Sequence, residues 1–124
     1  MNSAQEKFVK SCKRNHHICV GLDTDFEKIP DYLKNENDPI LKFNQIVIEN
    51  TCEYAGCYKL NFAFYEKLGI KGLEILEKTL EYIPKDIFTI GDAKRGDIGN
   101  TSEMYAKSIF ETFNFDSVTL NPYM

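Results

Sequence analysis

The sequence predicts an α/β fold built on a parallel sheet, and three observations predict it. Helix-like and strand-like segments alternate along the 124 residues, in the order α-β-α-β-α-β-α-β. The strand-like runs are all short, and three are largely apolar, as strands covered on both faces are. Pro and Gly punctuate the joins between segments. The length suffices for one small domain with a real core.

Each element has its own local signal. Ser3 to Arg14 reads as a short helix with Phe8, Val9 and Cys12 on one side. HICVGLD, His17 to Asp23, is an apolar run closing on Gly and Asp, which reads as a buried strand. Thr24 to Asn37 is a polar loop around Pro30. Asp38 is placed to cap the next helix, with Pro39 at its first position. That helix is expected to reach about Ala55, with Ile40, Phe43, Val47 and Tyr54 along its apolar stripe. Gly56 should end it, CYKLNF follows as the second strand, and AFYEKLG reads as a loop. From Ile70 to about Tyr82 a helix is marked by Leu73, Leu76, Leu80 and Ile83 at three- and four-residue spacing, and Pro84 stops it. DIFTIGD is the third strand. Asn100 and Glu103 have the N-x-x-E spacing of a capping box, opening a helix to about Phe113, and DSVTLN is the fourth strand. An open doubly wound sheet and a closed barrel both fit this order. A barrel of eight βα units needs about 250 residues, and the last predicted element is a strand with nothing after it. The chain is therefore expected to be the N-terminal portion of a longer protein, or a truncated piece of one.

Bulk properties narrow the function. The net charge of −4 leaves no basic excess to follow a phosphate backbone, which weighs against nucleic acid as a partner. No apolar run approaches the length of a membrane helix, and MNSAQEKFVKSCKRN lacks the apolar centre of a signal peptide. Cys12, Cys19, Cys52 and Cys57 form no C-x-x-C pair, so they read as free cytosolic thiols, mostly filling the core. His16 and His17 are adjacent and would face opposite sides of a strand, a poor metal pair.

The chemistry gathers where strands end, which is where α/β folds place their sites. The first strand closes on Asp23, the second carries Lys59 and Asn61, and the fourth closes on Asn121. The third runs into GDAKRGDIGNT, Gly91 to Thr101, with Asp92, Lys94 and Asp97. Residues two apart on a strand share a face, so Lys59 points with Asn61, and Asp92 with Lys94 if the strand persists that far. Charged strand ends are common and usually solvated, and Asp97 or Asn100 could merely cap a helix. The conjunction is what points to a site: every strand end is charged or amidic, and Lys and Asp alternate. A lysine between carboxylates keeps its proton, so it is a proton donor with a fixed aim rather than a free base. P-loop, dinucleotide-binding and serine-hydrolase motifs are all missing. Aspartates alone could hold Mg²⁺, so spacing leaves metal use open.

DAKRGDIGNT, Asp92 to Thr101, resembles the D-x-K-x-x-D-I-x-x-T signature of the orotidine 5′-phosphate decarboxylase family. VGLDTDFEKIP from Val20, YKLNFAFYE from Tyr58 and SVTLNPYM from Ser117 resemble the family's second sequence type, so the likeness runs in order over nearly the whole chain. The resemblance implies a (β/α)₈ barrel, of which residues 1–124 would be the first four strands with their helices, within a single barrel domain. It implies a cytoplasmic homodimer that converts orotidylate to UMP and CO₂ without cofactor or metal. Lys59, Asp92, Lys94 and Asp97 match the family's charged tetrad, with Lys94 as proton donor. Asp97 would reach the partner subunit's site, with Ile98 and Thr101 beside it. Asp23 and Asn61 match substrate-binding positions, and Asn121 is placed beside them.

Family members hold the substrate phosphate with residues late in the barrel. Such strands have no counterpart in these 124 residues, so the chain by itself is expected to be a poor catalyst or inactive. Two other readings remain. Hexulose-phosphate synthases of the same barrel group use D-x-K-x-x-D with Mg²⁺, but carry an acid on the second strand where this chain has Lys59. A non-catalytic half-barrel that only pairs with another chain is the third reading.

Overall fold

Four strands form one sheet in chain order: β1 (Ile18–Gly21), β2 (Ala55–Asn61), β3 (Phe88–Arg95) and β4 (Ser117–Leu120). Every neighbouring pair is parallel. The computed structural model describes residues 3–123; Met1, Asn2 and Met124, at the ends of the expected 1–124 domain, lie outside the described residues. The strand order never reverses, so the sheet has no switch point of the doubly wound kind. It is an α/β half-barrel. Among the described residues α1 (Ala4–Lys13) precedes the sheet, and α2 (Pro39–Thr51), α3 (Phe62–Glu66), α4 (Ile70–Tyr82) and α5 (Gly99–Lys107) lie between its strands.

Alternation along β2 separates the two faces of the sheet. Tyr58 and Leu60 are fully buried and pack with Ile48 of α2 and Leu76 and Leu80 of α4. Cys57, Lys59 and Asn61 point the other way and are only half-buried. Burying a side chain such as Leu60 or Leu76 contributes about 1.5–3 kcal/mol, so this helix-covered face holds the half-barrel together. The open face carries the charged residues. Ser3 caps α1 with a reciprocal Glu6 capping box, and Lys7 pairs with Asp116 at 2.9 Å, tying α1 to the foot of β4.

Several local readings are corrected. β1 is not buried: Ile18 is 62% exposed, because β1 is an edge strand paired only with β2. Asp23 lies two residues beyond it, although the Leu22 N–H still donates to the Lys59 carbonyl at 2.9 Å. α1 buries no residue, and its Phe8 meets Phe88 edge to face. The loop from Thr24 contains two 3₁₀ turns, Phe26–Lys28 and Asp31–Leu33. Asp38 precedes α2 but makes no capping bond; its carboxylate pairs with Lys71 at 2.7 Å instead. α2 ends at Thr51, so Ala55 and Gly56 belong to β2. Gly56 is needed there because a Cβ would strike the His16 carbonyl and lie 2.9 Å from Ser11 Oγ. The buried line of α2 is Ile40, Asn44 and Ile48, while Phe43 and Val47 are half-buried and Tyr54 is exposed beyond the helix.

The supposed loop after β2 is largely helical: Phe62 and Tyr65 bury themselves as α3. α5 starts at Gly99 after Ile98, so Asn100 and Glu103 lie inside it and form no capping box. Its continuation is a π-helical turn, Ser108–Thr112, in which the Phe113 N–H donates to the Ser108 carbonyl at 3.0 Å and Ile109 is buried. None of the four cysteines is fully buried: Cys12 and Cys19 are exposed, Cys57 is half-buried, and Cys52, also half-buried, packs against the edge of the core. Cys57 and Cys19 are register partners on β2 and β1, and burial together with the neighbouring Cys19 thiol pushes the Cys57 thiol up to about 12.

Candidate active site

The open face of the sheet places Lys59 by simple alternation, between β1 on one side and β3 on the other. Its register partners are Gly21 and Ile90, and two residues further Asn61 pairs with Asp92. The Lys59 ammonium lies 3.3 and 3.2 Å from the two Asp23 oxygens and 3.4 Å from Asp92 Oδ2. Burial disfavours its charge, but Asp23 and then Asp92 outweigh that, and Lys59 is held above its ordinary value.

A buried polar network holds Asp23 in place from behind. Thr24 Oγ1 donates to Asn44 Oδ1 at 2.5 Å. Asn44 Nδ2 donates to Tyr65 Oη at 3.1 Å and to Thr79 Oγ1 at 3.0 Å. Tyr65 Oη donates to the Leu22 carbonyl at 2.7 Å. Leu22 and Thr24 are thus fixed into the core on either side of Asp23, whose carboxylate turns to Lys59. Asn44 is fully buried, and α2, α3 and α4 each contribute a member of the network.

β3 does persist through Lys94, but not as a regular strand. Gly91 pairs with Val118 and Arg95 with Leu120, so Asp92, Ala93 and Lys94 stand against Thr119 alone. This is a bulge. Within it Lys94 has φ +49°, a left-handed backbone that costs an L-residue about 1–2 kcal/mol. The Lys94 ammonium lies 2.6 Å from Asp92 Oδ1. Thr119 Oγ1 donates to the same oxygen at 2.8 Å and accepts from the Lys94 N–H at 3.0 Å. Lys94 lowers the Asp92 carboxyl below its ordinary value; burial opposes this, and Thr119 and Lys59 add to it. Arg95 anchors the end of the bulge: its guanidinium lies over the Phe62 and Tyr105 rings and pairs with Glu66 at 2.6 Å.

Asp23, Lys59, Asp92 and Lys94 therefore form one chain of alternating charge. The other residues singled out from the sequence stand apart from it. Asn61 Oδ1 accepts from the Ala63 N–H at 3.2 Å and caps α3. Asp97 Oδ1 accepts from the Ile98 N–H at 2.8 Å, and Asp97 borders a cavity of about 200 Å³ with Arg95, Ser102 and Tyr105. Ile98 is 77% exposed, and Thr101 is exposed in the first turn of α5. Asn121 is exposed, its N–H donating to the Arg95 carbonyl at 2.8 Å and its Oδ1 accepting from Tyr123. Thr119 was not singled out, although it lies two residues before Asn121 and period-two alternation puts both on one face.

Among the described residues no three His, Cys, Asp or Glu side chains gather into a ligand set. Both Asp23 and Asp92 direct their oxygens at lysines, and the Lys59 ammonium fills the space between them where a cation would sit. What the arrangement offers chemically is two fixed ammonium groups around one shielded carboxylate. Such a set stabilises developing negative charge without having to reorganise, and Lys94, 68% exposed at its side chain, can deliver a proton outward.

Known proteins resemble this chain in sequence and fold. A family model described as orotidine 5′-phosphate decarboxylase / HUMPS family matches residues 16–124. Orotidine 5′-phosphate decarboxylase of Christiangramia forsetii is 51% identical over 125 residues, covering 98% of this chain and 46% of that protein. The enzyme of the same name from Porphyromonas gingivalis is 52% identical, covering 98% and 45%. The solved structure of Leishmania donovani OMP decarboxylase superposes with a TM-score of 0.86 at 34% identity, over 99% of this chain and 46% of that one. The chain spans a little under half the length of the curated relatives it matches.

Proposed function

The chain belongs to the orotidine 5′-phosphate decarboxylase / HUMPS family, and from that premise we propose that it carries the catalytic portion of a carboxy-lyase converting orotidylate to UMP and CO₂ in pyrimidine biosynthesis. The observation that carries this reading is Asp92 held between Lys59 and Lys94 at the open mouth of the sheet. Loss of CO₂ from C6 of the pyrimidine leaves a lone pair in the ring plane, where the π system cannot absorb it. The site must therefore meet that charge with charge already in place. Lys94 is the proton donor that stabilises and then protonates C6. Lys59 holds Asp92 and, with Asp23, faces the ribose hydroxyls. Asp92 lies against the departing carboxylate.

Asp97, Ile98 and Thr101 fit a role outside their own site. Asp97 stands away from the charged chain, and Ile98 is an apolar side chain presented to solvent. In this reading the protein is a homodimer, and these three complete the partner's site. Asn61 and Asn121 line the substrate's path at the sheet mouth. Residues 1–124 are the first four strands of a single barrel domain, and a grip on the substrate phosphate comes from elsewhere in that barrel. No described helix is long and apolar enough to cross a membrane. In this reading the enzyme acts in the cytoplasm.

The deciding experiment follows the loss of orotidylate absorbance with the gene's full-length product, with and without EDTA. Turnover that ignores EDTA supports the reading. No turnover by folded protein sinks it, and Mg²⁺-dependent sugar-phosphate chemistry is then tested next.

A further inference from the structure

We propose that Thr119 is a positioning residue that aims Lys94 and Asp92 at the reacting carbon. The inference rests on the decarboxylase reading and adds to it a side chain from β4. Three β3 residues oppose Thr119 alone, and such an excess leaves backbone groups without strand partners. Thr119 takes up one of them, the Lys94 N–H, at 3.0 Å. A hydroxyl has one proton, and this one goes to Asp92 Oδ1 at 2.8 Å. The Lys94 ammonium reaches the same oxygen at 2.6 Å. Lys94 is thereby held at both ends, its backbone by Thr119 and its ammonium by an oxygen that Thr119 also fixes.

The left-handed backbone makes this support necessary. A lysine at φ +49° persists only where its surroundings over-determine it. Ser117, two residues earlier on the same strand, does not duplicate the role, since its hydroxyl donates to the Thr89 carbonyl at 3.3 Å. Asp92 is in turn the group on which both lysines converge, so one hydroxyl governs the aim of the whole charged chain. Aim matters to the step in which charge appears on the ring and matters less to holding the substrate.

The test compares Thr119→Val, Thr119→Ala and Thr119→Ser in the gene's full-length product. With valine or alanine, kcat for orotidylate falls roughly tenfold or more while KM moves less than about threefold, and serine restores most of kcat. A carboxyl-selective NMR titration supplies a second readout that needs no turnover. The Asp92 carboxyl titrates higher in the valine and alanine variants than in the wild type, and the serine variant follows the wild type. Should valine prevent folding, alanine carries the comparison. Serine behaving like valine, or valine keeping wild-type kcat, overturns the proposal, as does an Asp92 titration indifferent to the hydroxyl. If the wild type shows no turnover, the decarboxylase reading falls by itself, and the titration still decides whether Thr119 governs Asp92.

Discussion

The Lys94 ammonium lies 2.6 Å from Asp92 Oδ1 although the Lys94 backbone is left-handed. In a regular strand, residues two apart share a face by alternation. Here a bulge interrupts the alternation, and the pair is held together by hydrogen bonds instead. The lysine is therefore placed by its neighbours rather than by the strand, and its side chain remains largely in solvent, where a substrate can meet it.

Removing that ammonium should abolish chemistry and leave the fold. Lys94→Ala deletes an exposed side chain that contributes little burial but takes from Asp92 its nearest ammonium, so the protein should still fold, with a modestly lowered melting temperature. Orotidylate turnover by the full-length product should drop roughly 10²–10⁴-fold, the range for losing a positioned proton donor. Absorbance decay beside a thermal melt checks both halves. Near-wild-type turnover would remove Lys94 from the mechanism.

The same cluster predicts a pH dependence of stability. Asp92 has its carboxyl lowered from 3.8, chiefly by Lys94. A lowered carboxyl stabilises the fold at pH above its unfolded value, and that contribution is lost as pH falls below 3.8 toward the folded value. Lys59 is raised from 10.5, burial being outweighed by Asp23 and Asp92, so its contribution is full below 10.5 and is lost as pH climbs through the higher folded value. Urea denaturation across pH should show both limbs. Asp92→Asn should flatten the acid limb and cost about 2 kcal/mol at neutral pH, since it removes a charge-assisted acceptor shared by two lysines. An unchanged acid limb in that variant would mean other carboxylates govern it.

Most of the architecture was legible because it rests on periodicity. The order of elements along the chain and the α4 boundaries follow from alternation and from three- and four-residue spacing, which chain-local sterics impose, whereas the order of strands in the sheet came only with the fold. Lys59 was legible for the same reason. The errors lie where tertiary contacts override local signals. Asp38 looks like a cap, but Lys71 takes its carboxylate. Gly56 looks like a helix stop, but it is a strand residue selected by its approach to His16 and Ser11. Asn44 sits on an otherwise apolar stripe, and only the folded chain brings Thr24, Tyr65 and Thr79 to it. Thr119 was missed for the same reason: Gly91 stands just before the β3 bulge, but only the folded sheet brings three β3 residues against Thr119.

Asn44→Leu tests the buried network. The substitution keeps approximate size but strands the hydroxyls of Thr24, Thr79 and Tyr65 in a core where polar groups need partners. Each unsatisfied group costs about 1–3 kcal/mol, partly relieved because Tyr65 keeps its bond to the Leu22 carbonyl. A net loss of about 3 kcal/mol is expected from urea denaturation. Since Leu22 and Thr24 flank Asp23, KM for orotidylate should also rise in the full-length product. A variant as stable as the wild type would show that the network is dispensable.

Gly72→Ala should be destabilising although general helix preference says the reverse. Alanine is normally better than glycine in a helix by about 0.8–1.0 kcal/mol. At Gly72, near the start of α4, a Cβ would strike the Tyr65 carbonyl oxygen and come within 2.7 Å of its carbon and 2.9 Å of Leu68 Cβ. Two of those three atoms are backbone, so rotamer adjustment gives no relief and α3 must move away from α4. Overpacking of this kind costs about 1–3 kcal/mol, which exceeds the propensity gain. The movement would also drag Tyr65, whose hydroxyl holds Leu22 beside Asp23. The variant should therefore unfold at lower urea and bind orotidylate less tightly in the full-length product. A raised urea midpoint would mean that the α3–α4 contact gives way more readily than its backbone atoms suggest.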